Sequence, residues 1–145
     1  MEKELQIQIP EGYEIDYVKS TYECIKFRKK KEIRTWEDYR EQMPYVDVRI
    51  DASKFHFDDK FIKHLEAELK IKLLMPYYGG EITKEEWGNG GINKYAIFEG
   101  NSGRRIFTNI SWTNHSFLAF HTEQQRDDFL KYNVQLVKDY FMLND

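Results

Sequence analysis

One cysteine in 145 residues, Cys24, rules out an intrachain disulfide and leaves no thiolate set for a structural zinc. Cys24 sits among alternating apolar residues, so a buried and inert thiol is expected there. No apolar run approaches the ~20 residues that cross a bilayer. Met1-Glu2-Lys3-Glu4 is charged and no apolar stretch follows it, so no secretory signal and a cytoplasmic location are expected. An excess of positive charge is also missing: the net charge is −3, which removes any global attraction to nucleic acid or to an anionic membrane and leaves only local patches to act. No internal repeat or low-complexity segment is present.

Aromatic residues, in contrast, make up 16% of the chain, which points to a small core built from large side chains. Leu5, Ile7 and Ile9 alternate with glutamines, Tyr13, Ile15 and Tyr17 alternate again, and Tyr22 to Arg28 gives a further run. Residues 5–28 are therefore expected to form an arm of two or three short strands. Residues 29–34 follow as a charged linker, and residues 35–145 as the main body of one domain. Thr35 with Asp38 makes a capping-box signal for a short helix that Pro44 ends. Residues 45–57 are ambiguous, with Tyr45, Val46, Val48 and Ile50 compatible with a strand. Phe61, Leu65, Leu69 and Leu73 then recur every four residues and predict a helix over 58–75, stopped by Pro76. Glycines dominate 77–93, a connection long enough to be a functional loop, with one capped helical turn at Thr83-Lys84-Glu85-Glu86.

Strands are predicted over 94–98, 104–112 and 116–121, joined by short turns as an antiparallel meander. Thr122 with Gln125 forms a capping box that opens a C-terminal helix, whose apolar face is Phe129, Leu130, Leu136, Val137, Tyr140 and Phe141. The fold expected is α+β: an antiparallel sheet with a C-terminal β-meander, packed by a long middle helix and a C-terminal amphipathic helix.

Catalytic and metal signals are weak. Among His56, His64, His115 and His121, only His64 pairs at helical spacing with a carboxylate, Glu68, and a metal needs three or four converging ligands. His115 and His121 flank one short strand without a partner that would make either a general base. No nucleophile elbow or phosphate loop occurs. The chain therefore reads as a non-enzyme with no catalytic residue, no metal and no cofactor.

Two binding surfaces remain. Trp36, Tyr39, Tyr77, Tyr78 and Trp87, together with Tyr45, fall in the short helix and the loops, where exposed aromatic residues would anchor a protein partner; they serve equally well as core. The alternative is nucleic acid. Residues 26–34 carry six basic residues (Lys26, Arg28, Lys29, Lys30, Lys31 and Arg34) against one glutamate, and Arg104-Arg105 lie in the meander near Trp112. The ordinary roles of such residues are a solvated linker and a charged sheet edge.

Two segments resemble known sequences. Ile7-Gln8-Ile9-Pro10-Glu11-Gly12-Tyr13-Glu14-Ile15-Asp16, with Ser20 to Phe27 and Thr35-Trp36-Glu37-Asp38-Tyr39, is similar to the opening of uncharacterised proteins of Bacteroides-type genomes, prophages and phages. Phe117 to Leu130 resembles the closing strand and helix of the same group, and Glu66-Ala67-Glu68-Leu69 and Trp87 sit in similar places. The group has no established activity. The resemblance implies a bacterial or phage setting and hence a bacterial cytoplasm. The expected function is an accessory or binding protein of a phage or mobile element, with a protein partner, no membrane contact, and self-association left open.

Overall fold

A computed structural model describes residues 5–54, 56–100, 105–111 and 116–143. The chain falls into two compact units, Met1–Glu32 and Ile33–Asp145.

The first unit is a two-stranded antiparallel ribbon, β1 (Tyr13–Ile15) and β2 (Phe27–Lys29), with Tyr13 opposite Lys29 and Ile15 opposite Phe27. Gly12 adopts φ +77°, the left-handed region that glycine enters without a Cβ penalty, where the chain turns into β1. The Arg28 guanidinium closes on the Glu14 carboxylate at 2.6 Å across the ribbon. The expected strand at residues 5–9 does not form, and Leu5, Ile7 and Ile9 are exposed. Cys24 is exposed as well, contrary to the buried thiol expected. Alternation sorts residues onto faces, but nothing in a two-stranded ribbon covers either face. Asp16 is the buried residue of this unit among those described.

In the second unit, three capping boxes start helices where the local sequence predicts them. Thr35 and Asp38 open α1 (Trp36–Gln42), Thr83 and Glu86 open α3 (Lys84–Gly88), and Thr122 and Gln125 open α4 (Glu123–Tyr140). Each Thr hydroxyl accepts the N–H three residues on, and each acidic or amide side chain there accepts the Thr N–H. Asp58 caps α2 (Asp59–Leu74), which passes into a 3-10 turn over Met75–Tyr78 that ends at Gly79 (φ +90°). The buried face of α2 is Ile62, Ala67, Ile71 and Leu74 rather than the predicted row. A spacing of four overshoots the 3.6-residue turn, so the row from Phe61 drifts round the helix and leaves Leu69 48% exposed. Residues 45–50 form no strand; the Ile50 N–H is held instead by Glu66 Oε1 at 2.8 Å.

The sheet consists of β3 (Lys94–Glu99), β4 (Ile106–Ser111) and β5 (Ala119–Phe120), all pairings antiparallel. The fold is α+β, as expected, but the strand order is β4-β3-β5 and not that of a sequential meander. The third strand pairs with the first because Leu118, Ala119 and Phe120 are wholly apolar and all but fully buried. Beside β3 they reach the core, whereas beside β4, whose residues 107–109 are exposed, they would lie at the rim. Ile97 of β3, with Leu118 and Phe120, joins Ile71, Leu74, Phe129 and Val137 in the main core. Even residues of β3 face α3, where Ala96 and Ala119 pack against Trp87. At Asn133, α4 leaves helical geometry (φ −129°), and the buried Asn133 amide donates to Arg34 O at 2.9 Å and Phe129 O at 3.2 Å.

Candidate functional site

The aromatic residues predicted to anchor a partner separate into two groups. Trp36, Tyr39 and Tyr77 form a continuous row: Trp36 stacks on Tyr39 at 5.2 Å, and Tyr39 meets the edge of Tyr77 at 6.2 Å. Within that row Tyr39 is buried, Trp36 half-buried and Tyr77 exposed. Burial, reinforced by Tyr77 and Tyr45, raises the Tyr39 phenol above its usual range. Trp36 also walls a groove of about 270 Å³ with Lys70, Tyr132 and Leu136, and the Lys70 ammonium lies 5.7 Å from the Trp36 ring. Tyr78 and Trp87, like Tyr39, are buried core residues. The Tyr78 hydroxyl donates to Arg34 O at 2.6 Å, and burial pushes its pKa up to about 12. Tyr45 is 80% exposed.

The basic run does not form one patch. Lys26, Arg28, Lys29, Lys30 and Lys31 belong to the ribbon unit, with Arg28 and Lys29 inside β2. Arg34 belongs to the second unit, where its guanidinium stacks on Tyr132 at 4.9 Å and donates to the Tyr132 hydroxyl at 2.7 Å. Arg105 is exposed beside β4; Arg104, Trp112 and His115 lie outside the described residues.

A set of polar residues on the α3 side of the sheet was not legible in sequence. Lys94, at the start of β3, is fully buried; its ammonium donates to Asn89 O at 2.5 Å and lies 5.8 Å from the Trp87 ring. Ser111 stands opposite Lys94 on β4. His121, just past β5, meets Glu86 Oε1 through Nε2 at 3.0 Å, while Glu86 Oε2 accepts the Thr83 N–H at 2.7 Å. Both carboxylate oxygens are thus used within the chain, one to cap α3 and one to tie it to the end of β5. That geometry makes a tether between α3 and the end of β5. His64 is similarly structural. Its ring stacks between Phe61 and Tyr140, and Nδ1 donates to Tyr140 O at 2.5 Å, while Glu68 stays 3.9 Å from Nε2. Among the described residues no group of three potential ligands gathers as a metal site would require, and no helix is long and apolar enough to cross a membrane.

The Glu86 carboxyl is held below the usual range, first by the Thr83 N–H and further by the Thr83 hydroxyl and His121. A lowered folded-state pKa means that the ionised form stabilises the fold. This contribution is complete above the unfolded value of about 4.3 and disappears as the pH falls through the lower folded value. Glu86→Gln should therefore show a smaller loss of urea stability between pH 6 and pH 3 than the parent protein; equal losses would remove the tether from the explanation.

The most exposed apolar surface lies in the ribbon unit. Leu5, Ile7, Ile9, Tyr13, Tyr17, Val18, Tyr22, Ile25 and Phe27 are 36–96% exposed, with Tyr17, Val18 and Tyr22 at 81, 88 and 96%. A groove of about 530 Å³ runs along this unit between Pro10, Tyr13, Tyr17, Arg28 and Lys30. The signal for it was present as the alternation of residues 5–28, which identified a face without showing that it would stay uncovered. No protein-family model, no curated protein and no solved structure matches this chain.

Proposed function

We propose that this chain is a non-enzymatic binding protein of a phage or mobile element, acting in a bacterial cytoplasm through contact with another protein. The observation that supports this reading is the ribbon unit, which keeps nine large apolar side chains exposed. Ile9, Tyr13 and Tyr17 share the walls of one groove, and exposed apolar surface gathered in this way marks interaction sites. The partner surface that fits is apolar and bordered by carboxylates, because Lys29 and Lys30 stand exposed at the end of β2 and just beyond it.

Capture from bacterial lysate, compared between the parent protein and two variants, tests this. Tyr17→Ser/Tyr22→Ser removes apolar anchors, and Lys29→Glu/Lys30→Glu reverses the charge. Each is expected to weaken capture of the same protein by about thirtyfold, the loss of a typical hot spot. Thermal midpoints should not change, since these side chains are exposed. Identical capture by all three proteins would overturn the reading. So would nuclease-sensitive capture with salt-dependent binding of labelled RNA or DNA, which would favour the nucleic-acid alternative for Lys26, Arg28, Lys29, Lys30 and Lys31.

A further inference from the structure

The strand order places β4 at an edge of the sheet, and hydrogen bonding identifies which of its groups face outward. Gly100 N–H donates to Arg105 O at 2.7 Å, which makes that pair a hydrogen-bonded rung of the ladder. In an antiparallel ladder such rungs alternate, so Phe107, Asn109 and Ser111 direct their main-chain groups to β3. Ile106, Thr108 and Ile110 direct theirs away. The other side of β3 agrees: Ile97 N–H donates to Leu118 O at 2.9 Å, so the odd residues of β3 serve β5 and the even ones serve β4. The Ile110 N–H, facing the open edge, is taken up by the neighbouring Asn109 Oδ1 at 2.8 Å.

Apart from the Asn109 side chain on the Ile110 N–H, β4 itself lacks the usual guards among the described residues. Its sequence is Ile-Phe-Thr-Asn-Ile-Ser, without lysine, proline or any charge, and its register with β3 runs unbroken from Ile106 to Ser111 with no bulge. Thr108, at its middle, is exposed, and Phe107 is 42% exposed while stacking on Phe98 at 5.4 Å.

We propose that β4 pairs antiparallel with β4 of a second copy of this chain, about a two-fold axis at Thr108, joining two three-stranded sheets into one of six strands. Opposed residues in such a pair must share a face, and the rungs must use Ile106, Thr108 and Ile110. Centring on Thr108 engages all three on each copy, with the exposed Asn109 side chain giving up the Ile110 N–H to the second copy. Ile106 then faces Ile110 of the second copy on the α4 side, and Phe107 faces Asn109 on the α3 side. Arg105 falls opposite Ser111, so the two arginines lie at opposite ends and no like charges meet. The contact is isologous and closes after two copies. It is short, so the dimer should be weak and concentration-dependent. This inference uses a surface separate from the ribbon unit and does not depend on how that unit functions.

Sedimentation equilibrium of the full chain, from low-micromolar to near-millimolar protein, tests it. The parent protein should dimerise reversibly. Thr108→Lys and Thr108→Glu place like charges on the axis, and each alone should dimerise at least tenfold more weakly. An equimolar mixture of the two should regain the dimer, because lysine then meets glutamate. Thr108 is exposed, and circular dichroism of each variant should match the parent. A parent protein that is monomeric throughout would overturn the proposal, as would dimers that persist unchanged in either variant, a mixture that fails to re-associate, or growth beyond two copies.

Discussion

Phe129→Ala is expected to lower the unfolding free energy by about 3–5 kcal/mol, the range for deleting a buried phenylalanine ring. Phe129 is fully buried. Its ring meets the Tyr78 ring edge-on at 5.0 Å and the Phe120 ring at 5.2 Å, so it joins α4 to β5 and to the turn after α2. Both partners are held elsewhere, Phe120 by the β3 ladder and Tyr78 by its hydrogen bond to Arg34 O, and cannot collapse into the space left. For a domain of this size the loss corresponds to a fall in Tm of roughly 12–20 °C, at about 4 °C per kcal/mol. Calorimetry decides the matter. A fall below about 1 kcal/mol would mean that the cavity closes by repacking. Phe129→Leu keeps most of the volume and should lose under about half as much.

The parts of this fold that could be read from the sequence are those whose physics is local. Thr35, Thr83 and Thr122 each cap a helix with a partner three residues away, so cap and partner are both visible in a four-residue window. The apolar face of α4 was legible for the same reason: its period is a property of the helix itself. Strand order was not. Short turns favour neighbours in sequence, but the position of β5 was decided by where Phe120 could be buried, and that depends on α4 and α2. The tilt of the buried face of α2 was lost because a spacing of four fits the eye better than it fits 3.6 residues per turn.

The candidate sites divide in the same way. Glu86 was recognisable as a cap, but its second partner, His121, lies 35 residues along the chain and reaches it only once β5 has paired with β3. The aromatic surplus is plain in the composition, yet composition cannot say which rings face outward. Tyr78 and Trp87 went to the core, Trp36 and Tyr77 stayed at the surface, and the ribbon's Tyr17 and Tyr22 proved more exposed than either. The basic run looked continuous because residues 26–34 are adjacent in sequence. The boundary between the two units cuts it after Glu32, and Arg34 is committed to Tyr132.

Lys94 supplies the second large expected effect, because its stem and its charge can be separated. Lys94→Ala removes three buried methylene groups, at about 0.8 kcal/mol each, and a hydrogen bond worth about 1 kcal/mol, for a total near 3 kcal/mol. Lys94→Met keeps the stem and removes the ammonium. It loses the bond to Asn89 O and the contact with Trp87, but it also relieves the desolvation of a buried cation, and such replacements are often neutral or stabilising. The expected result is therefore a methionine variant within about 1 kcal/mol of the parent and an alanine variant far below it. Urea unfolding of the three proteins side by side measures both differences. If methionine proves as damaging as alanine, the ammonium itself is the fastener, and its bond to Asn89 O is what holds the end of α3 against the sheet. If methionine is stabilising, the burial of Lys94 opposes stability, and its charge would have to be explained by what this face of the sheet binds.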